Sequence, residues 1–155
     1  MKKFMLLAIT VMISAAMHSQ NVNFSGNWKL NSSMSTLNSE WSMAPLEIII
    51  DQKGNDLKVE KHSSFQGENF TINDKFTLDG KECINTGWQD SQKKSTAVWS
   101  SDKKSLTITT KLIMGDGGEM IIIEVYKMDK KNMSLNSKAS SSYGDMEETM
   151  VYDKQ

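Results

Sequence analysis

The feature that most constrains this chain is a regular alternation between two kinds of connection. Period-two apolar runs occur at residues 24–30, 46–52, 57–61, 70–78, 81–86, 95–100, 106–113, 119–128, 133–139 and 146–153. Such alternation is the pattern of half-buried β-strands. The second, fourth, sixth and eighth connections are short and polar: Gly54-Asn55, Asp79-Gly80, Ser101 to Lys104, and Asp129 to Asn132. The others are mostly longer and carry Trp41, Phe65, Trp88, Met114 and Tyr143. In a meander of antiparallel strands, alternate connections lie at opposite ends. One end is therefore expected to be closed by tight turns, and the other ringed by these five large side chains. The expected fold class is all-β, an antiparallel up-and-down β-barrel of about ten strands. A sandwich would show the same alternation, but closing the sheet removes its exposed edges.

The first run, Phe24-Ser25-Gly26-Asn27-Trp28-Lys29-Leu30, puts Phe24, Gly26, Trp28 and Leu30 on one face. A glycine inside a strand marks a close approach or a bend. The space it leaves is expected to be filled by the Trp28 ring, at the closed end of the barrel. Residues 31–45 are rich in Ser and Asn and read as a loop with one short helical turn.

A length of 155 residues fits one domain. Residues 1–19 read as a signal peptide: Lys2 and Lys3, then an apolar run from Phe4 to Ala16 that is too short to span a membrane. Cleavage after Ala16 or after Ser19 fits equally. The mature domain is taken as 20–155, and its localisation as secreted or periplasmic. Without Lys2 and Lys3, 16 lysines face 19 acids, and the chain has no arginine. That balance argues against a nucleic-acid partner, which calls for a basic face. The Lys-Lys pairs at Lys93, Lys103 and Lys130 read as solvated turn residues.

Catalytic and metal chemistry finds little support. His62 is the one histidine of the mature chain and Cys83 the one cysteine, too few for a His/Cys metal site. His62 reads as a solvated loop residue and Cys83 as a buried, inert thiol. Glu147 and Glu148 are adjacent on a strand and point to opposite faces, so they are no catalytic pair. Glu124, among Ile121, Ile122, Ile123 and Val125, is either a lumen-facing group that orients a ligand or, preferably, an outward-facing acid. The segment from Gly115 to Gly118 leads into a strand, not a helix, so it is no phosphate loop. No cofactor and no metal are expected. Eight methionines in the mature chain suit either core filling or a pocket that adapts to varied ligands.

Gly26-x-Trp28 resembles the G-x-W first strand of the lipocalin and fatty-acid-binding-protein (calycin) superfamily. The whole phrase from Phe24 to Leu30 is similar to the opening of the fatty-acid-binding proteins. Thr149 to Lys154 resembles their last strand, whose Arg-x-Tyr pair holds a ligand carboxylate. Tyr152 matches the tyrosine, but Met150 stands where the arginine would be. Residues 31–45 are also shorter than the family's helical lid, and a signal peptide departs from an intracellular family. The resemblance is closest in character to small secreted lipocalin-like proteins of bacteria.

It implies a barrel that binds a small hydrophobic or weakly polar ligand without catalysis and without a membrane span. Met150 and Tyr152 share a parity and are expected to face an apolar pocket base. The ligand-binding set is thus Trp41, Phe65, Trp88, Met114, Tyr143, Met150 and Tyr152. The alternative is a protein-binding module with a filled barrel that uses its open-end loops. An enzyme using Glu124, Tyr126 or Tyr152 is the least favoured reading.

Overall fold

Ten strands follow the sequence pattern closely. The computed structural model describes residues 21–38, 41–87, 91–115 and 117–155; the signal-peptide reading and Trp88 lie outside them. The strands are β1 (Gly26–Leu30), β2 (Glu47–Lys53), β3 (Asp56–Phe65), β4 (Glu68–Thr77) and β5 (Cys83–Thr86). β6 (Gln92–Trp99), β7 (Ser105–Ile113), β8 (Glu119–Asp129), β9 (Asn132–Ser141) and β10 (Gly144–Lys154) complete the set. They form one antiparallel sheet in the order β4-β3-β2-β1-β10-β9-β8-β7-β6-β5. Among the described residues the only helix is a 3₁₀ turn at Ser32–Met34, capped by the Asn31 side chain.

The connections alternate between the two ends as expected, but their lengths are less distinct. β3 runs through Phe65, so β3 and β4 are joined by Gln66 and Gly67 alone, both at positive φ. β9 and β10 are likewise joined by only Ser142 and Tyr143. Two of the five connections at the loop end are therefore tight turns. Longer strands also relocate His62. It lies within β3 and faces outward, with its Nε2 2.7 Å from Glu60 Oε1.

The closed end is sealed from below by the N-terminal segment. Val22 N–H donates to Lys103 O, beside the turn that leads into β7. Phe24 then turns inward, stacks on Trp99 and meets Tyr126 edge-on, with centroids 5.9 and 6.1 Å away. Trp28 is completely buried, and its indole N–H donates to Phe24 O at 2.8 Å. The space beside Gly26 is filled mainly by a different neighbour from the one expected. An added Cβ there would stand 2.8 Å from Lys154 Cε and 3.7 Å from Trp28 Nε1. The Lys154 ammonium lies 5.3 Å from the Trp28 ring centre. Gly26 also holds φ at 144°, a region that side chains disfavour.

The sheet does not close through backbone pairing alone. β4 and β5 stand at the two ends of the strand order, and side chains bridge the seam between them. Lys75 N–H donates to Asn85 Oδ1 at 2.8 Å, and Asn85 Nδ2 donates to Lys75 O at 3.0 Å. The Asn85 amide thus takes the place of a partner peptide group. Thr77 N–H donates to Cys83 Sγ at 3.2 Å. The cysteine is half-buried at this seam and not enclosed in the core.

Candidate functional site: the inner wall of the barrel

Burial changes along the inner wall in one direction. On β10, Met146 is half-buried, whereas Glu148, Met150 and Tyr152 are buried. On β4, Phe70 and Ile72 are half-buried and Asp74 and Phe76 buried. On β7, Leu106, Ile108 and Thr110 are buried and Leu112 is half-buried. In each strand the less buried residue lies toward the loop end. The half nearest the tight turns is thus a packed floor, with Trp28, Ala97, Met133, Leu135 and Tyr152 at zero exposure. Near the loops, inward apolar side chains keep solvent contact.

Between these halves lies a charged layer. Lys61 on β3 and Glu124 on β8 are separated in the sheet by four strands, yet Lys61 Nζ meets Glu124 Oε1 at 2.5 Å. Their side chains are only 12% and 14% exposed. The pair therefore bridges the interior from wall to wall. This corrects the preference for an outward Glu124. The parity that makes Tyr126 fully buried carries Glu124 inward with it. A second pair, Lys93 Nζ to Asp74 Oδ1 at 2.6 Å, is equally enclosed. Lys93 is thus an interior residue of β6, not a solvated turn lysine. Ser95 and Thr110 share a buried hydrogen bond of 2.8 Å.

Glu148 is a further interior acid, 5% exposed, with Oε1 accepting from Asn38 N–H. Among the described residues it has no ion pair. In the β8–β9–β10 register, Glu124 lies opposite Ser137 and Ser137 opposite Glu148, so only a serine stands between the two acids. Two phenols register this layer. Burial pushes the Tyr126 hydroxyl well above its ordinary value, and the charges of Glu124 and Asp74 push it further. Burial also raises Tyr152, as do Tyr126, Glu124 and Glu148, against the opposing charge of Lys61.

The residues singled out from sequence fall into two groups. Trp41 and Phe65 come together at the loop end, ring centres 6.5 Å apart, with Trp41 59% exposed. Met114 lies in the turn between β7 and β8 and is half-buried, while Tyr143, in the β9–β10 turn, is 77% exposed. Met150 and Tyr152 face inward but lie in the packed floor, 2% and 0% exposed. The Tyr152 hydroxyl donates to Pro45 O at 3.1 Å, which ties the segment between β1 and β2 to the floor. The interior above is not the apolar base expected, because Lys61, Glu124 and Glu148 all project into it.

Sequence reading passed over Lys61 and Glu148. Parity with Leu57 and Val59, and with Met150 and Tyr152, was the signal that could have found them.

The fold matches solved structures over 85% of the chain. One is a zebrafish ileal bile-acid-binding protein complexed with cholic acid: TM-score 0.57, 15% identity, covering 85% of this chain and 98% of that one. Another is apo lipid binding protein 8 of Caenorhabditis elegans: TM-score 0.56, 11% identity, covering 85% and 95%. The shared fold is a nearly closed barrel of ten antiparallel strands. No protein-family model matches the sequence, and no curated protein matches it significantly. In this barrel, the stretch between β1 and β2 holds only the 3₁₀ turn at Ser32–Met34 among its described residues. It runs along β10 instead: Thr36 N–H donates to Thr149 O, Thr149 N–H to Thr36 O, and Val151 N–H to Ser35 Oγ. Among the described residues, no group of three His, Cys, Asp or Glu is placed to hold a metal ion, and no helix is long and apolar enough to cross a membrane.

Proposed function

We propose that this protein binds a small, largely apolar ligand in the loop-end half of the barrel, performs no chemistry on it, and is exported by its N-terminal segment. One observation carries the reading: inward-facing apolar side chains such as Phe70, Ile72, Leu112 and Met146 keep solvent contact above a fully packed floor. Apolar surface left facing inward under an open rim is what an apolar guest covers. The matched structures add support: one is a bile-acid-binding protein complexed with cholic acid, the other a lipid binding protein. The rim residues Trp41, Phe65, Met114 and Tyr143 then flank the entrance.

Native mass spectrometry of protein recovered from its secreting host tests this reading, the expected result being a co-purified apolar small molecule. Trp41→Ser with Phe65→Ser should weaken retention at least several-fold while the melting temperature changes little, because Trp41 is exposed and Phe65 ends β3 at the rim, away from the packed floor. Retention unchanged in that double variant would move the site away from the rim.

A second reading is favoured by the exposed apolar residues of one segment. Met34, Trp41, Met43 and Leu46 are 59%, 59%, 49% and 53% exposed, and all lie between β1 and β2. Exposed apolar side chains concentrated in one segment also suit a protein partner.

A further inference from the structure

We infer that the charged layer is the specificity device of this barrel: Lys61–Glu124 forms the base of the ligand chamber, and with Glu148 it selects amphiphiles with an uncharged hydrogen-bonding head over carboxylates. The inference rests on the proposed ligand-binding reading.

The geometry sets the depth first. Lys61 and Glu124 reach each other from opposite walls, and Trp28, Met150 and Tyr152 are packed beneath with at most 2% exposure. A guest entering at the loops therefore meets this ion pair with its leading end. A purely hydrocarbon end would strip water from the remaining polar surface of Lys61 and Glu124 and return no hydrogen bond. A hydroxyl or amide head can donate to Glu124 and accept from Lys61 while leaving the pair intact.

Charge then selects among polar heads. Five ionisable groups form the layer, and their pairing is uneven. Lys61 is held by Glu124, and Lys93 by Asp74. That leaves Glu148, 5% exposed, with a backbone N–H but no cation among the described residues. Among the described residues of this layer, no further lysine is left to receive a ligand carboxylate, and the chain has no arginine. An entering carboxylate would have to displace Glu124 from Lys61, stranding a buried acid, or sit uncompensated beside Glu124 and Glu148. Like charges brought together in an enclosed site repel strongly, so the layer acts against anions.

The test uses 1-decanol and decanoate as matched probes, titrated by calorimetry at about pH 8, where a free carboxylic acid is ionised. The wild-type chain should bind decanol at least about tenfold more tightly than decanoate, the size expected when a charge meets an uncompensated like charge. Glu124→Gln frees the Lys61 ammonium and should move the ratio toward decanoate by about tenfold or more. Glu148→Gln keeps the acceptor for Asn38 N–H, removes the unpaired charge and should move the ratio the same way by a smaller factor. It serves if Glu124→Gln does not fold. Decanoate binding as well as decanol to the wild type, or a ratio unmoved in the folded variants, overturns the inference and leaves the ligand-binding reading standing. Binding of neither probe overturns the inference together with that reading.

Discussion

Removing the Trp28 side chain should strongly destabilise this barrel. The indole is fully buried, it shares the closed end with Phe24, and its N–H donates to Phe24 O at 2.8 Å. Truncating a buried tryptophan to alanine costs about 3–5 kcal/mol through lost burial and the cavity left behind. The carbonyl stripped of its donor adds about 1 kcal/mol or more unless water enters the cavity. Against a typical total of about 5–15 kcal/mol, Trp28→Ala should remove a third or more of the stability. The melting temperature should fall by roughly 10–20 °C for a domain of this size. Trp28→Phe keeps most of the ring and loses the hydrogen bond, so it should cost only about 1–2 kcal/mol. Urea unfolding followed by far-UV circular dichroism reads both variants without relying on tryptophan emission. Equal midpoints for Trp28→Ala and the wild type would refute the account of the floor as the main store of stability. Equal losses in the two variants would show that the hydrogen bond, not ring volume, dominates.

Three further outcomes follow from the wall, the seam and a turn. Asn85→Leu should loosen the junction of β4 and β5, speeding amide exchange at Lys75 and Thr77 while strands on the far side of the barrel keep their protection; unchanged exchange at Lys75 would show that the amide is not what closes the seam. Gly26→Ala should be destabilising by about 1 kcal/mol or more because of its φ of 144°, and Lys154→Ala should fail to rescue it; full rescue would make the contact with Lys154 the whole cause. Hydrogen bonds from Lys81 and Thr77 lower the Asp79 carboxyl from 3.8 to about 2. A depressed carboxylate contributes stability above its unfolded value, which is lost as pH falls toward the folded one. Asp79→Asn should therefore flatten the stability–pH curve between 3.8 and about 2, and a curve of unchanged slope there would exclude the turn as a contributor.

Strand number, strand order and the end at which each connection lies were legible in the sequence because local physics sets them. Period-two patterning needs only neighbouring residues, and turns such as Gly54-Asn55 and Asp79-Gly80 announce themselves by composition. The burial of Trp28, Met150 and Tyr152 followed from parity within single strands. Glu124 did not yield to the same rule, because β8 is apolar on both faces. Ile121, Ile123 and Val125 lie outside, and Ile122, Tyr126 and Met128 inside. Alternation has no contrast to read in such a strand. Lys61 and Glu124 lie 63 residues apart, and Lys93 and Asp74 lie 19 apart on strands that are not paired. Neither pair is written in any local pattern. Only the curvature of the sheet brings opposite walls within reach of a lysine side chain, and only there, out of water, must each charge find its partner. Local patterning was enough for the ten strands, their meander and the burial of the floor. Closure in three dimensions decided which charges stand above that floor, because an interior charge takes its partner from across the barrel and not from along the chain.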